Sequence, residues 1–438
     1  MLRIASKLSS RASSSSTVFA SSLIAKPFPV SCTRLSPLAA SPFRSFTTGL
    51  ELEAHMTVPD AIKMINYAMR QTRSEKSLGA YRLGLTVLKL CITNELTEGS
   101  DPPRENSKGM ALLAMSTLMS ERGDYSDAIE KLDGVQEFTN SYLGIRVAAF
   151  EAQAGYYLEM GQDDKASAVA DKCMELVENE PQARDYEAHF HRARALKGLI
   201  ELINGNIDSA EPFFDKAIHE SYCDGTAGLS YAQFLQMKQD YKMAKEVYRT
   251  VIQGAVEMKN AGKPYMGAGN MKLEDLTIGA MCSLGQLESL LGNFSNSELH
   301  LSQALKKAED TYDLRHPKIA VILTSIALMY RRKAIQEKSS ALLVQEGLYR
   351  KVIDILKVPP VETKSEATAP TIERSDIEAF ARGAYAEVLS VQENRKDEAD
   401  KLRCTAEGMW KNRRMSLADA LGDSDKTLVL DTRICRLL

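Results

Sequence analysis

The chain has 438 residues, of which 44% are hydrophobic and 26% charged, and this composition excludes a collagen-like chain or one disordered throughout. Its length suffices for one large core or several small ones. No uninterrupted apolar run reaches the roughly 18 residues that a membrane span needs, so we expect no transmembrane segment.

The charge is distributed unevenly along the chain. Residues 1–46 contain six basic residues and no acidic one, whereas the whole chain has 55 basic and 58 acidic residues. Residues 47–438 therefore carry a formal net charge of -9. Such a charge gives no overall attraction to a phosphate backbone, which argues against nucleic-acid binding.

The first 46 residues have the composition of an organellar transit peptide: rich in Ser, with Arg and Lys, and without acids. A secretory signal would have a continuous apolar core, which Ser and Arg interrupt here. Residues 44–48, Arg-Ser-Phe-Thr-Thr, resemble the end of plant mitochondrial presequences, with cleavage after Phe46. We therefore predict import into the mitochondrial matrix and removal of residues 1–46. A chloroplast address and a Ser-rich tail without any address are the alternatives.

One short pattern recurs five times in the middle of the chain. A helical apolar pattern ends at Gly or Gln, then Asn or Asp follows, and in most copies an aromatic residue or Ile begins the next helical pattern. Gly can close a helix because it adopts the left-handed conformation at little cost. The pattern predicts five helical hairpins, with closing residues at Gly123, Gly161, Gly205, Gln239 and Gly292.

Each predicted hairpin has a small residue on both helices, which lets the two helices approach closely where they cross. In the second helix, helix B, these residues are Ala128, Ala166, Ala210, Ala244 and Ser297. Twelve positions earlier, in helix A, stand Ser116, Ala154, Gly198, Ala232 and Gly285.

This pattern resembles the tetratricopeptide (TPR) repeat family, which has Gly or Ala in helix A and Ala in helix B at these positions. The resemblance implies an all-α, right-handed superhelical solenoid of antiparallel helical hairpins. Weaker copies extend it to about eight hairpins over residues 57–412. The copies are degenerate, since their spacing varies from 34 to 53 residues. Long helices and the pair His316-Pro317 make residues 285–353 most similar to kinesin-light-chain-type repeats.

Three segments interrupt or follow the hairpins. Residues 260–270 are rich in Gly and predict a flexible connector. Residues 358–370 predict a polar linker bounded by Pro. Residues 413–438 follow the last hairpin, and we predict that they cap it.

No catalytic or metal-binding pattern is present in the sequence. The fragment Gly267-Ala268-Gly269 lacks the preceding strand and the third Gly of a dinucleotide site. His189 and His191 diverge on a helix and cannot share a metal ion. The cysteines after residue 46 are far apart and form no C-x-x-C pair. We therefore predict no enzymatic activity, no cofactor and no bound metal.

The TPR resemblance implies that the second, fifth and ninth positions of helix A face a concave groove. Family members that clamp acidic carboxyl tails have Lys, Arg and Asn there, whereas this chain has mostly apolar residues and Gln. A groove of this kind predicts binding of a helix or an extended protein segment. Its basic residues could instead cover a solvated face. The predicted groove residues are Leu113, Arg192, Leu229, Gln233, Gln286, Leu328, Arg331 and Arg332.

These observations predict a non-catalytic scaffold or assembly adaptor that acts in mitochondria and binds a protein partner in its concave groove. The alternative is an organellar RNA-binding helical-repeat protein. Irregular repeat spacing and the net charge of -9 argue against that alternative.

Overall fold

A computed structural model of the protein describes residues 56–93, 99–214, 225–261, 266–357, 375–412, 414–422 and 428–438. The predicted presequence, 1–46, and the predicted linker, 358–370, lie outside these residues. The described residues form seventeen α-helices and one short two-stranded sheet. The elements are α1 (Pro59–Glu75), α2 (Leu78–Thr93), α3 (Pro102–Ser120), α4 (Tyr125–Val135), α5 (Leu143–Glu159), α6 (Asp163–Glu178), α7 (Tyr186–Ile203), α8 (Ile207–Ala210), α9 (Gly225–Met237), α10 (Tyr241–Ala261), α11 (Leu273–Leu290), α12 (Phe294–Thr311), α13 (Pro317–Gln336), α14 (Leu342–Lys357), α15 (Ser375–Ser390), α16 (Lys396–Met409), α17 (Leu417–Leu421), β1 (Leu430–Asp431) and β2 (Arg436–Leu437).

Consecutive helices pack as hairpins, from α1 with α2 to α15 with α16. The first helix of each hairpin is its helix A and the second is its helix B. Each helix A from α1 to α11 also contacts the helix A of the following hairpin. This stacking of neighbours in chain order is a solenoid, so the structure confirms the predicted all-α solenoid and a TPR-like helical repeat.

The hairpin turns lie at the predicted positions. All five predicted closing residues have a positive φ, between 64° for Gln239 and 86° for Gly123 and Gly205. Four of the five helices that follow begin at the aromatic residue or Ile of the pattern, at Tyr125, Ile207, Tyr241 and Phe294. Lys76 and Lys338 close two further hairpins with φ of 50° and 49°. Lys is not a typical residue for this conformation, and the sequence pattern did not identify these two turns.

The small residues lie where the two helices of each hairpin cross. All five small residues of helix B are fully buried. The Oγ of Ser297 donates to the carbonyl of Gly285 at 2.7 Å. A Cβ added at Gly198 would lie 2.5 Å from the Phe214 ring, too close for any larger residue without a shift. The hairpin register derived from the sequence is therefore confirmed at these crossings.

The irregular spacing of the repeats has a structural cause in the fifth hairpin. Its helix B, α10, has 21 residues. The chain between α10 and α11 also contributes residues 266–271, which enter the interior of the solenoid instead of crossing its surface. Ala268 and Met271 there are buried, and so is Asn270. The prediction of a flexible connector is therefore wrong for the described part of this segment.

None of the helices in the described parts of the chain is long and apolar enough to cross a membrane.

Candidate functional site on the concave surface

The helices that line the concave surface are buried nearly all around. In α9 every residue is buried, and in α5 sixteen of the seventeen residues are. A helix of an open groove would expose one face, so a second layer must cover these helices. Two segments form that layer: the inner loop, residues 266–271, and the C-terminal segment, residues 428–438.

The C-terminal segment is a short hairpin within the groove. Its strands pair antiparallel, with Leu430 opposite Leu437. Alternate side chains join different parts of the interior: Val429 and Ile434 belong to the core of the middle hairpins, and Leu430 and Leu437 to the core of the last three hairpins. The segment therefore contributes side chains to two hydrophobic cores of the solenoid.

Gln286 on α11 holds the backbone of this segment in both directions. Its Nε2 donates to the Leu430 carbonyl at 2.9 Å, and its Oε1 accepts from the Leu430 N–H at 2.8 Å. A primary amide that satisfies one donor and one acceptor of the same residue mimics a neighbouring β-strand. Such recognition does not depend on the side chain of the bound residue.

Gln233 on α9 binds an ion pair within the segment. Arg433 Nη2 lies 2.7 Å from Asp431 Oδ2, and both side chains are fully buried. Gln233 Oε1 accepts from Arg433 at 2.8 Å, and Gln233 Nε2 donates to Asp431 at 3.0 Å. Ser230, one turn earlier on α9, lies 3.3 Å from the same guanidinium. A buried charge pair is tolerated only when its polar atoms are satisfied in this way.

Arg436 links the C-terminal segment to two distant hairpins. Its guanidinium forms ion pairs with Asp163 at 3.0 Å and with Asp376 at 2.9 Å. These carboxylates lie in the first turns of α6 and α15, and the guanidinium also donates to the Leu158 carbonyl at 3.0 Å. One side chain thus joins the third hairpin to the eighth.

The inner loop is held by polar side chains of the second, third and fourth hairpins. Thr117 Oγ1 accepts from the Gly269 N–H at 2.8 Å, and Arg192 donates to the Met266 carbonyl at 2.8 Å. Gly269 has φ +56°, and an added Cβ would lie 2.0 Å from the hydroxyl oxygen of Tyr156. Only Gly fits this position, because both the backbone and the space exclude a side chain.

Two of the three predicted groove cations form ion pairs with neighbouring helices. Arg192 is buried and paired with Glu151, and Glu151 also accepts from Thr226 at 2.8 Å. Arg331 lies 2.9 Å from Glu387 on α15. Arg332 is half-buried. Arg192 and Arg331 therefore do not form a solvated basic face.

The remaining predicted groove residues are apolar and differ in their surroundings. Leu113 is buried in the core of the first three hairpins, and Leu328 is partly buried. Leu229 is fully buried against Gly279 of α11. Substituting Leu229 with Glu would place a charge in the core, so that residue cannot be used to test groove binding. Gln233 and Gln286 are the predicted residues that contact the occupying segment.

Sequence analysis missed a charged cluster that joins the first hairpin to the sixth. Arg73 on α1 lies 3.2 Å from Glu121 and 3.5 Å from Glu274, and Lys272 lies 2.5 Å from Glu121. Lys76 donates to the Asp310 carbonyl at the end of α12 at 3.1 Å. The solenoid therefore winds until its first helix touches the sixth hairpin. Apart from the contact between Arg73 and Glu121, these contacts span more than 150 residues, and no periodic pattern could reveal them.

Burial and neighbouring charges act in opposite directions in this interior. Burial works to raise the pKa of Glu121, but Lys272 and Arg73 hold it below its ordinary value. Burial likewise works to lower the pKa of Lys318, but the Asp275 carboxylate holds it above its ordinary value. Both side chains stay charged at neutral pH, each balanced by an opposite charge.

His189 is the buried group whose protonation should be most visible in stability. Its Nε2 lies 2.9 Å from the Tyr142 hydroxyl, which donates to Asp185 at 2.9 Å. Burial, with a smaller contribution from Arg192, lowers the pKa of His189 to about 3. The unfolded chain, with a pKa of about 6.5, binds a proton that the folded chain does not.

We therefore expect stability to fall as pH decreases from about 6.5 toward 3, with no contribution from His189 above that range. Between pH 6.5 and 5 the loss is about 2 kcal/mol, from about 1.4 kcal/mol for each pH unit. Denaturant unfolding of the wild type and of His189→Gln at pH 7 and 5 measures it. An equal loss in both proteins would contradict the neutral buried imidazole.

Among the described residues no group of three or more His, Cys, Asp or Glu could hold a metal ion. The described cysteines form no disulfide with one another. Residues 414–421 pack on α15, where Leu417 and Leu421 lie against Gly383. This is the position of a cap over the last hairpin, whereas residues 428–438 lie in the groove.

Comparison with known proteins adds little to this geometry. No protein-family model matches the chain, and no curated protein matches it in sequence. One solved structure with which it aligns is a tetratricopeptide repeat protein from Parabacteroides merdae. The two are 15% identical with a TM-score of 0.30, over 66% of this chain and 99% of the other. The description as a TPR-like solenoid therefore rests on the chain's own hairpins.

Proposed function

We propose that the protein is a non-catalytic helical-repeat scaffold that binds a protein segment in its concave groove and acts in mitochondria. The observation that carries this proposal is the two-way pairing of Gln286 with the backbone of Leu430. The groove already holds an extended peptide by the contacts that peptide-binding proteins use, backbone hydrogen bonds together with apolar side chains. We expect the protein to turn over no small molecule.

The charges of the groove favour a protein segment over RNA. Lys318 and Arg192 lie against the buried carboxylates of Asp275 and Glu151, and Lys272 lies against the partly buried carboxylate of Glu121. These three cations could neutralise a phosphate backbone only after their ion pairs with the carboxylates were broken. A peptide needs only backbone partners and apolar contacts, which the groove supplies.

Affinity capture from isolated mitochondria with the full-length chain tests the proposal. The informative variant is Gln286→Leu, which keeps the side-chain volume and removes both hydrogen bonds to a bound backbone. The matched control is Gln253→Leu, because Gln253 is exposed on α10 and bonds only to Glu257 of its own helix. Both substitutions are made together with Arg436→Ala, which removes the ion pairs of residues 428–438 with Asp163 and Asp376 and so loosens that segment. We expect partners captured by Arg436→Ala alone to remain when the control substitution is added and to decrease about tenfold when Gln286→Leu is added.

An identical set of partners on all three proteins would place the binding site outside the groove. A salt titration of binding to bulk mitochondrial RNA tests the alternative function, RNA binding. Tight binding that weakens steeply with salt would favour the RNA-binding alternative and contradict the proposal.

The mitochondrial part of the proposal rests on residues 1–46, which lie outside the described residues. We expect the protein recovered from mitochondria to begin at about residue 47, because the matrix protease would cleave after Phe46. Amino-terminal sequencing of the organellar protein checks this. Recovery of a chain that begins at Met1 in the cytosol would contradict it.

A further inference from the structure

The C-terminal segment occupies the groove in the way that a ligand would. Each contact described above between this segment and the helices spans a long stretch of sequence, from 60 residues for Arg436 with Asp376 to 278 residues for Arg436 with Leu158. Gln286 forms hydrogen bonds with its backbone, and Gln233 and Ser230 form hydrogen bonds with its Asp431–Arg433 pair. Asp163 and Asp376 form ion pairs with Arg436.

These contacts distinguish one kind of segment from others. Gln233 offers a donor to a carboxylate and an acceptor to a guanidinium, so it fits an acidic and a basic residue that pair with each other. The two aspartates, in the first turns of α6 and α15, require a second guanidinium. Around these charges, Leu430, Ile434 and Leu437 fill apolar positions of the core. A segment without this order would leave buried charges unpaired, which is costly.

We propose that the C-terminal segment is a resident copy of the partner's recognition sequence. The partner then carries an extended or hairpin segment with Asp and Arg two residues apart, a second Arg three residues later, and apolar residues around them. It binds by displacing residues 428–438. This inference rests on the proposed function, because it names the partner class for the same groove.

Displacement must overcome the advantage of a tethered ligand. A segment on the same chain competes at an effective concentration that for short tethers is in the millimolar range. An external segment therefore binds weakly while the resident copy is in place. Its apparent affinity is the affinity for an empty groove multiplied by the fraction of molecules whose groove is empty. Loosening only the resident copy should then raise the affinity for an external one without any change in the groove.

A fluorescein-labelled peptide with the sequence of residues 428–438, with Ser in place of Cys435, provides the probe. Its affinity is measured by anisotropy on the full-length wild type and on the full-length variants Arg436→Ala and Leu437→Ser. Both variants weaken the resident segment and leave the groove side chains intact. We expect the peptide to bind each variant at least tenfold more tightly than the wild type. Amide hydrogen exchange should show faster exchange in residues 428–438 of the variants and slower exchange after the peptide is added.

Peptide variants test the specificity. Peptides with Asp431→Asn or Arg433→Ala should bind the loosened chains at least tenfold more weakly than the parent peptide, and a scrambled peptide should not bind. Equal binding of all peptides would overturn the proposed recognition. Unchanged exchange of residues 428–438 in both variants would also overturn the proposal, because a resident ligand must be releasable.

The two proposals can fail separately. If the peptide binds as expected but capture from mitochondria is no greater with Arg436→Ala than with the wild type, the groove recognises its own segment and the proposed partner-binding function fails. If capture depends on Gln286 but the peptide binds none of the chains, the function stands and the inferred recognition sequence is wrong.

Discussion

Replacing Asp431 with Ala should lower the free energy of unfolding by about 3–5 kcal/mol, because it leaves the Arg433 guanidinium buried without its counter-charge. Neither side chain of the pair has any exposed surface, and Gln233 would lose the acceptor of its amide as well. Urea unfolding at pH 7, followed by circular dichroism, measures the change.

Two further variants test whether the loss of stability comes from the burial of this ion pair. Lys63 and Asp60 form an ion pair of nearly the same length, 2.8 Å, on the exposed surface of α1. Asp60→Ala should therefore leave the unfolding curve close to that of the wild type. The triple variant Asp431→Leu, Arg433→Met and Gln233→Leu removes the charges and their polar partner together, and it should recover much of the loss. Equal small effects of Asp431→Ala and Asp60→Ala would show that residues 428–438 do not occupy the groove in solution.

Ala244→Arg should prevent the fifth hairpin from packing. Ala244 is fully buried where α10 crosses α9, and Ala232 faces it from the other helix. Forcing a larger side chain into a packed core typically costs about 1–3 kcal/mol, and burying a guanidinium without a partner costs more. Domain stabilities of about 5–15 kcal/mol leave little margin for this, so a large decrease in melting temperature is expected.

Thermal melts of Ala244→Arg, Ala128→Arg and the control Thr250→Arg test this packing. Thr250 is exposed on the same helix as Ala244, so the control adds the same side chain without entering the crossing. Ala128 occupies the equivalent crossing of α4 with α3 and should respond like Ala244. Wild-type melting curves for both buried variants would mean that the hairpin register is wrong.

The sequence predicted the hairpins because their determinants are local. Gly123 and Gly292 end helices by a backbone property of one residue, and Ala128 and Ala244 permit a crossing by their small size. Within each of the five hairpins the small residue of helix B lies five positions after the closing residue, although the distance from one hairpin to the next varies. Repetition therefore makes weak local signals recognisable.

The interior of the groove could be predicted only in part. Gln233 and Gln286 stood out because an amide at an inward position can satisfy a backbone. What they bind is determined by residues 428–438, and no local pattern relates position 286 to position 430. Arg192 was predicted as a groove cation, but its partner Glu151 lies one hairpin earlier and pairs with it only in the folded chain. The charges of such an interior are fixed by tertiary packing and not by propensity.

The contacts of the C-terminal segment also determine how this repeat array folds. In an open solenoid each repeat meets only its neighbours, so the ends can unfold while the middle persists. Here Arg436 reaches Asp163 across 273 residues, and Arg433 reaches Gln233 across 200. Ribosomes deliver the amino-terminal part first, so these contacts form only after residues 428–438 emerge. Docking of residues 428–438 is therefore the step that converts a row of separate hairpins into one cooperative unit.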